Sequence, residues 1–405
     1  MDMTQTLKLP AILSLALLAA PAHAADLVAK HVALHDFDRG QERMLVRALD
    51  KIGHGQLDGA LAELQQLVTE SPRFRLAQLV YADLLLAKVR PITDFGNVPS
   101  ASYGQIQALR DEARARWQHY LAPSPAGLVP ASLVKLSDDQ RYAIVVDMHT
   151  SRLYLFENRG GIPQIVLDFY ATIGKNGIGK GTEGDQKTPV GVYFVTGFIG
   201  AGKLPDFYGD GAYPIDYPNV WDQRHGRTGY GIWLHGTPHD TFSRPPRDSD
   251  GCVILGNRDL NALAQYIDPG QTPVILSDNI EWVTQAEWQK RRGMLEKVVE
   301  QWRRDWESRD ADLYLSHYSP DYSGLGKDYL AWVDYKRRVT SGKRFIRVGI
   351  SGQSMFLYPG EEDVLVVTFE QDYTSDNLRR VFVKRQYWQR EEDGRWRIVY
   401  EGSMS

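Results

Sequence analysis

The 405-residue chain has one cysteine, Cys252. A single thiol cannot close a disulfide within the chain. That leaves a buried bystander, a link between molecules, or a reactive nucleophile. A basic excess is also missing. Lys and Arg number 47 against 51 Asp and Glu, a net charge of −4, so the electrostatic footprint of a nucleic-acid binder is absent. Apolar runs are short. The longest, Leu9 to Ala20, falls well below the ~20 residues that a membrane-spanning helix needs, and an integral membrane protein is not expected. Metal and nucleotide motifs are incomplete. His235 and His239 are spaced like a zinc-protease pair, but the glutamate is missing and Pro238 opposes a helix. Asp248 and Asp250 are a fragment of a calcium loop without its other ligands. Gly174 to Gly181 approaches a phosphate-binding loop, but Gly181 stands where Ser or Thr would hold magnesium. No metal and no cofactor are expected.

Hydrophobic residues at 43% and charged residues at 24% describe ordinary globular composition, with length for two or three domains at roughly 100–200 residues each. Lys8, the apolar stretch after it, and Ala22-His23-Ala24 make the three-part pattern of a secretory signal peptide over residues 1–24. No cysteine lies near the cut, so a lipoprotein is not expected.

Residues 25–135 read as a helical module. Leu57, Ala60, Leu61, Leu64, Leu67 and Val68 recur at helical spacing up to Pro72. Phe74, Leu76, Leu79, Val80, Leu84 and Leu85 start a second helix, and Ile106, Leu109, Ala113 and Trp117 mark a third. One tetratricopeptide-like unit is visible where at least three make a solenoid. The expected role of the module is therefore packing or homodimerisation. Pro123, Pro125, Gly127 and Pro130 read as a linker.

From residue 140 to 278 the pattern turns to strands: Tyr142 to Asp147, Arg152 to Phe156, Ile165 to Ile173, Val190 to Thr196, Gly229 to His235 and Pro273 to Leu276. Residues 284–405 open with a long helix whose Leu295, Val298, Val299, Trp302 and Trp306 share a face. Strands follow at Arg344 to Ile350, Val364 to Gln371, Arg379 to Gln389 and Trp396 to Tyr400. The fold class is multidomain α+β: a helical module, a mainly-β domain and an α+β cone. Tyr318, Tyr322 and Trp332 are read as lining a pocket in the cone, with no charged constellation beside them.

The chemistry is expected at His235-Gly236-Thr237-Pro238 and Ser249-Asp250-Gly251-Cys252-Val253-Ile254. A thiol with the reference pKa of about 8.5 becomes an effective nucleophile when a histidine takes its proton. A strand ending in His235, a loop, and a return to Cys252 would join the two. Gly251 permits close backbone approach, and the Cys252 amide can serve an oxyanion hole.

These two stretches, with Asp185-Gln186-Lys187-Thr188-Pro189-Val190-Gly191-Val192-Tyr193, resemble the L,D-transpeptidase catalytic-domain family. The resemblance implies a mostly β catalytic domain and a cysteine acyl-enzyme, with Cys252 as nucleophile and His235 as base. Ser249 and Gly251 map onto the serine and glycine of the family motif, whose backbone groups are expected to orient the imidazole. Two positions depart from the commonest pattern. Asp250 stands in place of a second histidine and Ile254 in place of an arginine. Arg224, Arg227, Arg244 and Arg247 are near enough in sequence to replace the lost cation, although solvated loop arginine is the plainer reading for each. The last segment resembles the nuclear-transport-factor-like (SnoaL-like) fold.

The order of domains resembles the L,D-carboxypeptidases that help set helical cell shape. That branch implies a periplasmic enzyme acting on peptidoglycan tetrapeptide stems, as L,D-carboxypeptidase or L,D-transpeptidase. The alternatives are a thiol amidase that detaches wall-linked protein, and a non-catalytic wall-binding scaffold.

Overall fold

The structure is a computed structural model that describes residues 40–92, 95–96, 103–361 and 363–404. The leader expected over residues 1–24 lies outside these residues, as does the first part of the helical module. Among the described residues, no helix is long and apolar enough to cross a membrane.

Four helices, Gly40–Gly53, Leu57–Glu70, Arg75–Ala87 and Tyr103–Leu121, make the N-terminal module. Their apolar stripes meet in a core of Leu45, Ala60, Leu64, Leu67, Phe74, Leu76 and Val80. Phe242, from the catalytic half of the chain, packs against this core. Its ring stacks on Phe74 with centroids 4.1 Å apart.

The β-rich section is built on a five-stranded sheet. Its order is Ile162–Tyr170, Arg152–Arg159, Tyr142–Asp147, Pro273–Ser277 and Gly191–Phe194. All pairs are antiparallel except Tyr142–Asp147 with Pro273–Ser277. A second sheet runs Val253–Ile254, Trp233–His235, Gly211–Pro214, Ile199–Gly200. Between the two sheets lies a core of Ile144, Val146, Leu153, Leu155, Tyr193, Leu234, Val253, Val274 and Leu276.

The opposite face of the five-stranded sheet is equally dry. Side chains alternate across a strand, so Ala143, Val145, Tyr154, Phe156, Val192, Phe194 and Ile275 point away from that core. They enter another cluster with Phe356, Tyr358, Val364, Val366, Tyr387 and Val399 of the C-terminal domain. The C-terminal sheet runs Leu133–Lys135, Ile346–Leu357, Val364–Ser375, Leu378–Arg390, Trp396–Met404. It turns its other face, with Met355, Leu365, Val367, Trp388 and Ile398, onto the helix Gln285–Glu307 through Leu295, Val299, Trp302 and Trp306. That helix starts at Thr284 with a capping box. The Thr284 oxygen accepts from the Glu287 amide at 3.3 Å and the Glu287 carboxylate accepts from the Thr284 amide at 3.0 Å.

The stretch read as the end of the helical module and a linker does more than connect. Leu128–Pro130 pairs with Trp282–Thr284, and Leu133–Lys135 adds an edge strand to the C-terminal sheet. Three-residue strands beside Pro and Gly carry too little periodicity to be seen in the sequence.

Candidate active site

His235 ends the strand Trp233–His235, which runs parallel to Val253–Ile254 with Leu234 opposite Val253 and His235 opposite Ile254. Continuing that register by one residue sets Cys252 beside Trp233. Residues opposite one another share a face, and so do residues two apart on one strand. Cys252 and His235 therefore lie on the same face, diagonal to each other. The expectation of a strand ending in His235 and a return to Cys252 is what the structure shows.

The imidazole is buried, 1% exposed. Its Nδ1 lies 2.7 Å from the Gly236 carbonyl. A carbonyl accepts only, so Nδ1 carries the proton and Nε2 presents its lone pair. Burial pushes this histidine down to about 4, with the Gly236 carbonyl opposing and the Arg244 cation adding to the shift. The sequence reading gave the task of orienting the imidazole to the backbone of Ser249 and Gly251. In the structure the imidazole bonds to the Gly236 carbonyl, and Ser249 works on the cysteine loop. The Ser249 hydroxyl donates to the Cys252 carbonyl at 2.6 Å and accepts from the Gly251 amide at 3.1 Å.

Gly251 is required where it stands. Its φ is +127°, and an added Cβ would lie 2.8 Å from the Lys187 carbonyl and 3.1 Å from Ile232. The loop of residues 174–188, whose Gly174 to Gly181 stretch approaches a phosphate-binding loop in sequence, is therefore a wall under the cysteine loop. The Lys175 amide donates to the Ser249 carbonyl at 2.8 Å. Asp185 organises the loop. Burial acts to raise its carboxyl, but Lys180 and the amides of Thr182, Gly181 and Lys187 hold it down at about 2.

The Cys252 thiol donates to the Gly231 carbonyl at 3.4 Å. Burial pushes it up to about 11; a backbone bond at Trp233 opposes this, Asp250 adds to it, and Lys180 and Arg244 oppose it. At neutral pH the resting pair is thiol and imidazole, both uncharged. Asp250 is exposed and paired with Lys175 at 2.9 Å.

Several residues at the site carry no sequence signal. Tyr208 and Phe207 cover the imidazole with ring centroids 4.9 and 5.9 Å from it, and Tyr208 also packs on Trp233 at 5.0 Å. They sit on a short 3-10 turn, Asp206–Tyr208, where an aromatic pair is the only hint. The four nearby arginines separate cleanly. Arg224 bonds Ser323 at 2.5 Å, and Arg227 bonds Asp222 at 3.1 Å and Glu361 at 2.7 Å, so both tie the catalytic section to the C-terminal domain. Arg247 is exposed. Arg244 alone of the four acts on both His235 and Cys252.

In the C-terminal domain Tyr318, Tyr322 and Trp332 are buried together, and a charge does sit beside them. The Lys336 ammonium lies 4.2, 4.7 and 4.5 Å from the Trp306, Tyr314 and Trp332 rings. Burial drives it down to about 7, with Glu401 opposing and Lys384 adding. On a helix with mixed polarity, a lysine at such a position reads as a surface residue, which is why the sequence hides it.

Residues 141–276 match the model of the L,D-transpeptidase catalytic domain, and residues 294–402 match that of the Cds6 C-terminal NTF2-like domain. Among solved structures, the chain is similar to Bd1075 of Bdellovibrio bacteriovorus, with 34% identity over 68% of this chain and 98% of that one and a TM-score of 0.61. It also shares its fold with Pgp2, a helical cell shape determining protein of Campylobacter jejuni, with 24% identity over 67% of this chain and 95% of that one and a TM-score of 0.57. No protein of curated description matches the chain.

Proposed function

The chain belongs to the family that joins an L,D-transpeptidase catalytic domain to a C-terminal NTF2-like domain, and we propose that this member is a periplasmic, peptidoglycan-modifying cysteine enzyme that acts on tetrapeptide stems. The observation that carries the reading is the placement of Cys252 on the same face as, and diagonal to, a buried His235 whose Nδ1 is fixed by Gly236. With Nδ1 protonated, Nε2 keeps the lone pair that can take a thiol proton. The cell-shape role named for Pgp2 supports the choice of wall peptide as substrate.

In this mechanism the Cys252 sulfur attacks the carbonyl of the diamino acid at stem position three. Its proton passes to His235 Nε2 and from there to the nitrogen of the departing D-alanine. The Gly251 amide is engaged by Ser249, so the Cys252 amide is the oxyanion donor of that pair, a contribution typically of about 3–4 kcal/mol. The thioester is then opened by water, giving a tripeptide, or by an amine, giving a cross-link. The raised thiol supports a second reading, a wall-binding scaffold without turnover.

Mass spectrometry of disaccharide-tetrapeptide incubated with the protein separates these outcomes. A tripeptide product marks a carboxypeptidase and a tripeptide-bridged dimer marks a transpeptidase. Either must vanish in Cys252→Ala. A substrate left intact by the wild-type protein removes the catalytic reading and leaves the scaffold.

A further inference from the structure

Arg244 is the least explained charged group near the catalytic pair. Its side chain is 17% exposed, with Nε donating to Asp248 at 2.8 Å. Nη1 is buried and has no hydrogen-bond partner among the described residues. A buried N–H left unpaired is costly, and a guanidinium kept in that state has a donor to offer an incoming acceptor. Arginine presents its donors in a rigid fork that matches a carboxylate.

The surroundings fix where that acceptor would lie. The guanidinium stacks over the Phe207 ring at 5.1 Å, and the same ring is 5.9 Å from the His235 ring. The backbone is clamped as well. The Arg244 carbonyl accepts from the Tyr170 and Thr172 hydroxyls, each at 3.0 Å. Thr172 in turn exchanges two backbone hydrogen bonds, both 2.9 Å, with Ile254. Arg244 is thus held next to Ile254, two residues after the nucleophile, where the commonest motif carries its cation. The ion pair with Asp248 cancels part of the charge and aims the fork without occupying Nη1.

We propose that Arg244 binds the free terminal carboxylate of the stem peptide and so selects donors whose last residue is unblocked. This rests on the reading that a stem tetrapeptide is the substrate. The carboxylate belongs to the leaving residue, one peptide bond from the carbonyl that Cys252 attacks, so holding it sets the scissile bond over the sulfur.

The test is calorimetric binding to the full chain carrying Cys252→Ala, with and without Arg244→Gln and Arg244→Lys. Three peptides are used: the tetrapeptide acid, its C-terminal amide, and the acid with lysine in place of diaminopimelate. The acid and the lysine peptide should bind about 10- to 100-fold more tightly than the amide, as expected for hydrogen bonds to a charged group. Arg244→Gln should erase the difference, while Arg244→Lys, which keeps the charge and the Asp248 pair, should restore part of it. Equal binding of acid and amide, or no binding of any peptide, overturns the assignment. Weak binding of the lysine peptide alone also overturns it, because the recognised carboxylate would then be that of the diamino acid. Release of D-alanine by the wild-type chain is followed in parallel. Release without discrimination sinks Arg244 and keeps the reaction; discrimination without release does the reverse.

Discussion

At the scale of single residues, the proposed catalytic pair is tuned toward neutrality. With His235 held at about 4 and Cys252 at about 11, the free protein contains no thiolate–imidazolium pair at pH 7. The base works only while unprotonated, so kcat/KM should rise as pH climbs through about 4 and then level off. Alkylation of Cys252 by iodoacetamide should stay slow until pH approaches 11; fast alkylation at pH 7 would show an ion pair that this geometry does not contain. Stability follows the histidine with the same sign. The unfolded imidazole binds its proton at 6.5 and the folded one only at about 4. The folded state therefore loses up to about 3 kcal/mol as pH falls through that window, and His235→Gln should remove that slope from a urea-denaturation series. Gly251→Ala should fold poorly or lose activity, because φ of +127° and the Lys187 carbonyl leave no place for a Cβ. His235 and Cys252 were legible in the sequence because motif and spacing carry them. Arg244 was not separable from Arg224, Arg227 and Arg247 there, since only the fold decides which of four neighbouring loop arginines turns inward.

At the scale of elements, the helical module and the loop of residues 236–248 form one unit. Phe242 fills a gap in the module's core beside Phe74, and the Ser243 hydroxyl donates to buried Glu112 at 2.7 Å. Arg116 joins Glu42 at 2.7 Å and Glu112 at 2.9 Å and lies over the Tyr170 ring at 3.9 Å. Tyr170 is the residue whose hydroxyl holds the Arg244 carbonyl. The module thus supports the loop that carries Arg244. Phe242→Ala should cost about 2–3 kcal/mol, less than for a fully buried ring. It should open the segment after Leu121 to limited proteolysis and lower turnover, although neither Cys252 nor His235 is touched. Unchanged protease resistance with full turnover would remove the supporting role. Three of the four helices were legible from their apolar spacing, while Gly40–Gly53 was not singled out. Their docking was not, because Phe242 lies 168 positions beyond Phe74 (242 − 74), and periodicity reports which face of a helix is apolar but not what covers it.

At the scale of the whole molecule, one sheet is shared by two cores. The run Ala143-Ile144-Val145-Val146 reads as a strand with no polar side, and that is what a sheet covered on both faces requires. The sequence could not say that the second cover is the C-terminal sheet. Its contributors, from Phe356 to Val399, each alternate with residues that face the opposite way, into the helix-covered core. Phe356 is fully buried at the contact and meets Phe194 of the catalytic sheet with centroids 6.2 Å apart. If the two sheets form one cooperative body, Phe356→Ala should cost about 3–5 kcal/mol, the usual range for emptying a packed phenylalanine site. It should also lower the melting of both halves together. Tryptophan fluorescence, weighted by Trp302, Trp306 and Trp388 in the C-terminal core, would follow one half. Loss of the proposed stem-peptide activity after timed heating would follow the other. Coincident shifts are expected; a shift in fluorescence with activity left at its wild-type midpoint would mean that the shared face joins two domains without coupling them.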